Sequence, residues 1–125
     1  MTINKVPMAP NGIEFSEIVQ GYWRMGDWEM SAQEYLSFLK SHVELGITTI
    51  DHAHVYGDTP SCEELFGDVL KLDSGLRQQI QIISKCGIEL VDDGKHVNHY
   101  DSTPAAISRS VETSLRRLGV ESLDV

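Results

Sequence analysis

The sequence predicts an α/β protein built on a parallel sheet, and three observations carry that prediction. Short β-branched runs alternate with amphipathic stretches at helical spacing, in the order strand, helix, strand, helix, strand, helix, strand. The run Ile47 to Ile50 lacks polar alternation, as expected of a strand covered on both faces. No linker or low-complexity stretch interrupts the pattern, so right-handed βαβ units fill one domain, residues 1–125.

Each element has a local cause. Ile3 to Val6 and Ile13 to Phe15 flank Pro10-Asn11-Gly12, and because Asn and Gly both tolerate positive φ this predicts an N-terminal β-hairpin. Ile18-Val19 before Gly21 reads as a first buried strand running into a loop. Ser31 and Glu34 fit a capping box, followed at helical spacing by Ala32, Tyr35, Leu36, Leu39 and Val43, and Gly46 stops that helix. The next strand ends in Asp51. Pro60-Ser61 with Glu64 opens a second helix carrying Leu65, Phe66, Val69 and Leu70, and Ile80 to Ser84 is the following strand, ending in Lys85. Thr103 caps a third helix with Pro104 in its first turn; Ile107, Val111, Leu115 and Leu118 form its apolar stripe and Gly119 ends it. Leu123 to Val125 begins a fourth apolar strand.

Such a chain closes into an eight-fold barrel or forms an open doubly wound sheet. A barrel takes about 250 residues, and this chain has 125. Because it stops inside an apolar run, the expectation is a chain that ends early, with three and a half βα units after the hairpin.

Composition narrows the function classes. With 41% hydrophobic and 23% charged residues the chain is expected to be soluble and globular, and its net charge of -9 would repel a polyanion, so no nucleic-acid partner is expected. Cys62 and Cys86 do not make a disulfide framework, and neither a signal peptide nor a membrane-spanning run is legible. The expected location is the cytoplasm, away from the membrane.

In parallel α/β proteins the chemistry sits at the carboxyl ends of the strands, which places Gly21 to Arg24, Asp51 to Tyr56, and Lys85 on one face. Taken singly, Asp51 reads as a turn residue and Lys85 as a solvated cation. Together they can pair across adjacent strands, and the Tyr56 hydroxyl would then feel the ammonium. A phenol with a pKa of about 10 is a poor acid at neutral pH, and a nearby ammonium stabilises its anion. Such a trio can protonate a carbonyl oxygen as hydride reaches its carbon.

These residues carry a family resemblance. Gly46-Ile47-Thr48-Thr49-Ile50-Asp51-His52-Ala53-His54-Val55-Tyr56-Gly57, with Glu63 or Glu64 and Phe66-Gly67 after it, resembles the signature of the aldo-keto reductases. Ile82-Ile83-Ser84-Lys85-Cys86-Gly87 resembles that family's catalytic-lysine strand, and Arg116 to Val125 its approach to the fourth strand. The likeness spans nearly the whole chain, and among subgroups it is nearest to the YdhF-like bacterial oxidoreductases. It implies the N-terminal half of a (β/α)8 TIM barrel, its base capped by the hairpin. The implied activity is NADPH-dependent reduction of a small-molecule aldehyde or ketone to an alcohol. Tyr56 would be the general acid, Lys85 its charged partner and Asp51 the lysine's anchor, with Gly21, Tyr22, Trp23 and Arg24 in the loop that approaches the nicotinamide; Trp23 reads equally well as core packing. The family's catalytic histidine would fall just beyond Val125, and His96 and His99 do not replace it, so the 125-residue chain alone is expected to bind NADPH weakly and turn over little. Two alternatives stand beside this: a cofactor-binding regulatory subunit with the same trio, and a half-barrel that self-associates.

Other chemistries find less support. His52 and His54 alternate by two and would face one side of an extended segment, but Cys62, Cys86, His96 and His99 complete no metal spacing, so no metal is expected. No GxGxxG fingerprint, P-loop lysine or GxSxG elbow is present. The segment from Cys86 to Ser102, with Asp92, Asp93, Lys95, His96, His99 and Tyr100, reads as a long loop on the presumed active face.

Overall fold

The computed structural model describes residues 2–125. The hairpin forms as expected: β1 (Lys5–Pro7) and β2 (Glu14–Ser16) pair antiparallel with Val6 opposite Phe15. Its turn is closed by the Gly12 N–H donating to the Ala9 carbonyl at 2.9 Å, with Pro10 and Asn11 at the centre and Asn11 at a φ of 58°.

Three parallel strands follow, β3 (Val19–Gly21), β4 (Thr49–Asp51) and β5 (Gln81–Ile83), in the order β3-β4-β5, with Gln20 beside Ile50 and Ile50 beside Ile82. Helix α1 (Ala32–Glu44) connects the first pair and α2 (Cys62–Leu72) the second; α3 (Pro104–Leu118) comes after β5. Both predicted capping boxes are present. Ser31 and Ser61 accept from the backbone of Glu34 and Glu64, and each glutamate reaches back to its serine's N–H at 2.7 Å. Those backbone donors hold both carboxyls below the usual glutamate range. Ile50 and Ile82 lie fully buried at the sheet centre, beneath Leu39 from α1 and Phe66 and Val69 from α2.

The hairpin seals the amino ends of the strands. Ser16 exchanges hydrogen bonds with Thr49 in both directions, and Gln81 donates to the Glu14 carbonyl at 2.7 Å. The opposite, carboxyl ends are left open around Asp51 and Lys85.

Four expectations are corrected. The first strand is not buried: Ile18 and Val19 are 49% and 40% exposed, because among the described residues β3 has a neighbour on one side only. The apolar stripe of α3 is only partly its buried face: Leu118 is fully buried and Leu115 half-buried, as expected, but its N-terminal members are not. Ile107 and Val111 are 39% and 38% exposed, while Ala106, Ser110, Ser114 and Leu118 are buried. Small side chains win there because α3 approaches α2 so closely that a β-carbon on Gly67 would lie 2.2 Å from the Arg117 carbonyl oxygen. Leu123 to Val125 is not a regular strand, although it runs beside β5: the Asp124 N–H donates to the Ile82 carbonyl at 3.0 Å and the Ser84 N–H to that of Val125 at 3.1 Å. Finally, the segment from Cys86 to Ser102 is not wholly loop. It carries a small antiparallel pair, β6 (Ile88–Glu89) and β7 (His99–Tyr100), whose two-residue strands are too short to be read from alternation.

Candidate active site

Backbone pairing continues past the strand ends and carries the polar residues with it. The His52 N–H donates to the Ile83 carbonyl and the His54 N–H to that of Lys85, each at 2.9 Å, while the Tyr22 N–H donates to the Asp51 carbonyl at 3.0 Å. Beyond His54 the chain turns back. The Cys62 N–H donates to the Tyr56 carbonyl at 2.9 Å, and Gly57, at a φ of 76°, sits so close to Cys62 that a β-carbon would lie 3.0 Å from its Sγ. This turn folds Tyr56 back over the end of β4.

Asp51, Tyr56 and Lys85 come together. Lys85 Nζ lies 2.8 Å from Asp51 Oδ1, 2.8 Å from the His52 carbonyl oxygen and 2.9 Å from the Tyr56 hydroxyl oxygen. An ammonium has three donors and no acceptor, so all three protons are used here. Since the lysine donates to the phenol oxygen, the Tyr56 O–H proton remains to be given elsewhere. Burial works against the charge of Lys85, but the hydrogen bonds to Asp51 and Tyr56 outweigh it and hold the amine above the ordinary lysine value.

The loop after β3 divides between core and surface. Tyr22 is not at the open face: its ring is buried, stacked on His52 at 5.3 Å between centroids and edge-on to Phe66 at 5.0 Å, and burial pushes its phenol well above the usual range. Only its backbone reaches the site. Trp23 is not core packing; it is 63% exposed and stacks on Tyr56 at 6.0 Å. Arg24 lies over the Trp23 ring at 5.2 Å and 3.9 Å from Asp27. At Gly21 a β-carbon would meet nothing, so the position has no steric need for glycine. Trp23, Arg24, Val55 and Leu65 line an open cleft of about 580 Å³ next to Tyr56. A larger groove, about 840 Å³, lies at the sealed end along Lys5, Gln81 and Asp124, away from the trio.

The two histidines serve differently. His52 is fully buried with neither ring nitrogen meeting a polar partner, and burial, helped by the Lys85 charge, lowers its pKa to about 3. His54 contributes its backbone to the pairing with Lys85. Among the described residues no group of three or more His, Cys, Asp or Glu side chains could hold a metal, and no helix is long and apolar enough to cross a membrane.

With this geometry established, comparison with known proteins decides the family. The Aldo/keto reductase family profile matches residues 17–125. The chain belongs to the aldo/keto reductase family. It is 44% identical to Oxidoreductase YdhF of Escherichia coli over 124 residues, which cover 98% of this chain and 41% of that protein. It is 40% identical to the 6-dehydroglucose reductase of Agrobacterium fabrum over 118 residues, 90% of this chain and 39% of that protein. Aldo-keto reductase AKR11C1 from Bacillus halodurans, solved in its holo form, superposes with a TM-score of 0.75 at 27% identity, over 97% of this chain and 38% of that one. The chain thus spans about two fifths of the length of these aldo/keto reductases. Its fold is the N-terminal half of their barrel, in which β3, β4 and β5 are consecutive staves.

Two polar partners of the trio escape the sequence. The His52 carbonyl, an acceptor for Lys85, is a backbone atom with no side-chain signature. The second is a part-buried ion pair beside the trio, between the fully buried Glu63 of α2 and Arg117 of α3. Its signal was present: Glu63 stands at i of the stripe continued by Phe66, Gly67 and Leu70 at i+3, i+4 and i+7, a carboxylate on an apolar face.

Proposed function

We propose that this site reduces aldehydes or ketones to alcohols with NADPH, Tyr56 acting as the general acid, Lys85 as its charged support and Asp51 as the lysine's anchor. The saturation of the Lys85 ammonium carries the reading. With its three protons committed to Asp51, His52 and Tyr56, the lysine is left no donor for the substrate, whereas the tyrosine hydroxyl keeps one. A carbonyl oxygen seated against Tyr56 receives that proton as charge develops on it, and the ammonium 2.9 Å from the phenol oxygen balances the phenolate left behind. Asp51 compensates the ammonium and fixes its direction.

The residues present fit a reduced nicotinamide at one edge. Trp23 offers an exposed aromatic face beside Tyr56, and Arg24 a solvent-facing guanidinium next to it. Bound there, NADPH supplies the hydride. Trp23 and Arg24 then border the substrate cleft, with Gly21 and Tyr22 contributing backbone alone.

In a chain completed with the remaining staves of the barrel, aldehyde-dependent loss of NADPH absorbance tests the activity, and fluorescence titration tests binding. Tyr56→Phe is expected to lower turnover by about a hundredfold or more while NADPH binding stays within twofold. Full turnover in the phenylalanine variant would remove Tyr56 from the role.

A further inference from the structure

We infer that Glu63 and Arg117, with Ser84 as their link, are positioning residues that hold Tyr56 and Lys85 within hydrogen-bonding distance. The inference deepens the reductase reading and rests on it for its kinetic consequence.

Glu63 is fully buried, and the Arg117 side chain is 26% exposed. A carboxylate without solvent needs several partners to offset its desolvation. Glu63 has two, and both tie it to the trio. Its Oε1 accepts from the Ser84 hydroxyl at 2.7 Å, and Ser84 immediately precedes Lys85. Its Oε2 lies 3.4 Å from Arg117 Nη1, and the same Nη1 donates to the His54 carbonyl at 2.9 Å, midway along the segment from Asp51 to Tyr56.

The other side of the His54 residue is already committed, its N–H donating to the Lys85 carbonyl at 2.9 Å. So the turn that delivers Tyr56 is fastened to the Lys85 strand on one side and to α3 on the other, and Glu63 joins α2, α3 and that strand through one carboxylate. A buried, hydrogen-bonded pair of this kind is a poor source of net stability compared with an apolar substitute, but its geometry is directional. Fixing the Nζ to Oη separation is a use for which apolar packing would not serve.

Three proteins test this: Glu63→Gln, which keeps the shape and removes the charge; Ser84→Ala, a smaller change to use should the first fail to fold; and Asp68→Asn, an exposed control on the same helix whose carboxylate pairs with Lys71. Crystal structures give the Nζ to Oη separation, and steady-state kinetics of aldehyde reduction, run in the chain completed with the remaining staves of the barrel, give kcat and KM. In Glu63→Gln and Ser84→Ala the separation is expected to open beyond about 3.5 Å, with kcat reduced about tenfold or more and KM for the carbonyl within twofold. Asp68→Asn is expected to match the unsubstituted protein. A separation still at 2.9 Å, or an opened pair with undiminished kcat, overturns the inference. If the unsubstituted protein, completed with the remaining staves of the barrel, reduces no carbonyl at all, the reductase reading fails, and the crystallographic separation still decides whether the clamp exists.

Discussion

Lys85 Nζ stands 2.9 Å from the Tyr56 hydroxyl and 4.7 Å from the centre of its ring, although 29 residues separate the two and they leave the ends of different strands. The ammonium lies over the tyrosine ring as well as against its oxygen, while the Trp23 ring stacks on the tyrosine at 6.0 Å. One phenol is therefore held by a cation and an indole together. Four predictions follow from the groups that create or surround this arrangement.

Asp51→Asn is expected to weaken the protein most below the ordinary lysine pKa. Asp51 and Tyr56 raise the folded-state value of Lys85, so the stabilisation is fully present at pH values below about 10.4 and fades as the pH rises through the higher folded value. Lys85 is half exposed, so the effect is modest. Thermal unfolding from pH 8 to 11 checks it: the gap between the native chain and Asp51→Asn should narrow in the alkaline range, and a gap that widens there contradicts the assignment.

His52 is expected to make stability fall with acid well before the carboxylates titrate. Its folded pKa is about 3, depressed by burial and then by Lys85, so between that value and about 6.5 the unfolded chain binds a proton that the native one refuses. From pH 7 to pH 5 this costs about 2 kcal/mol. Urea unfolding at the two pH values should show that loss in the native chain and not in His52→Leu. Equal losses in both would mean that His52 is solvated.

Gly67→Ala, which in a solvent-exposed helix would gain about 1 kcal/mol, is expected to destabilise here. Its β-carbon would lie 2.2 Å from the Arg117 carbonyl oxygen, a backbone atom that only a shift of α3 can relieve. A net loss of about 2 kcal/mol or more is expected from such overpacking, read as a lower urea midpoint. A raised midpoint would show that α2 and α3 are further apart.

Ser61→Ala is expected to cost about 1 kcal/mol, because Ser61 caps α2 and its backbone N–H anchors Glu64 at 2.7 Å. Since α2 also presents Glu63 to the site, denaturation midpoints and carbonyl reduction should decline together. Replacing Ser31 in the equivalent box of α1 should cost similar stability and spare activity, as α1 contributes nothing to the trio.

Much of this arrangement is local in origin and was legible as such. Both capping boxes, the Gly46 and Gly119 helix ends and the polar residues at the strand ends are set by neighbours within a few positions, whereas of the Ile47 to Ile50 run only Thr49 and Ile50 are buried and in the strand. Parallel pairing then places Asp51 and Lys85 side by side, because consecutive strands in βαβ units end on the same edge. Periodicity misled where two elements had to approach closely. On α3 it nominated Ile107 and Val111, but the buried face there is the small one of Ala106, Ser110 and Ser114.

The residues alone determined the alternation of strand and helix, the positions of the caps and the convergence of Asp51, Tyr56 and Lys85 on one end of the sheet. Tertiary structure decided which way the loop after β3 turns, burying Tyr22 and exposing Trp23, and it drew Glu63 and Arg117 into a buried pair from separate helices. The reason is the range of the forces involved. Capping and periodicity act within a turn or two of chain, whereas the partner of a buried charge is chosen by whichever distant group the packed helices bring within reach.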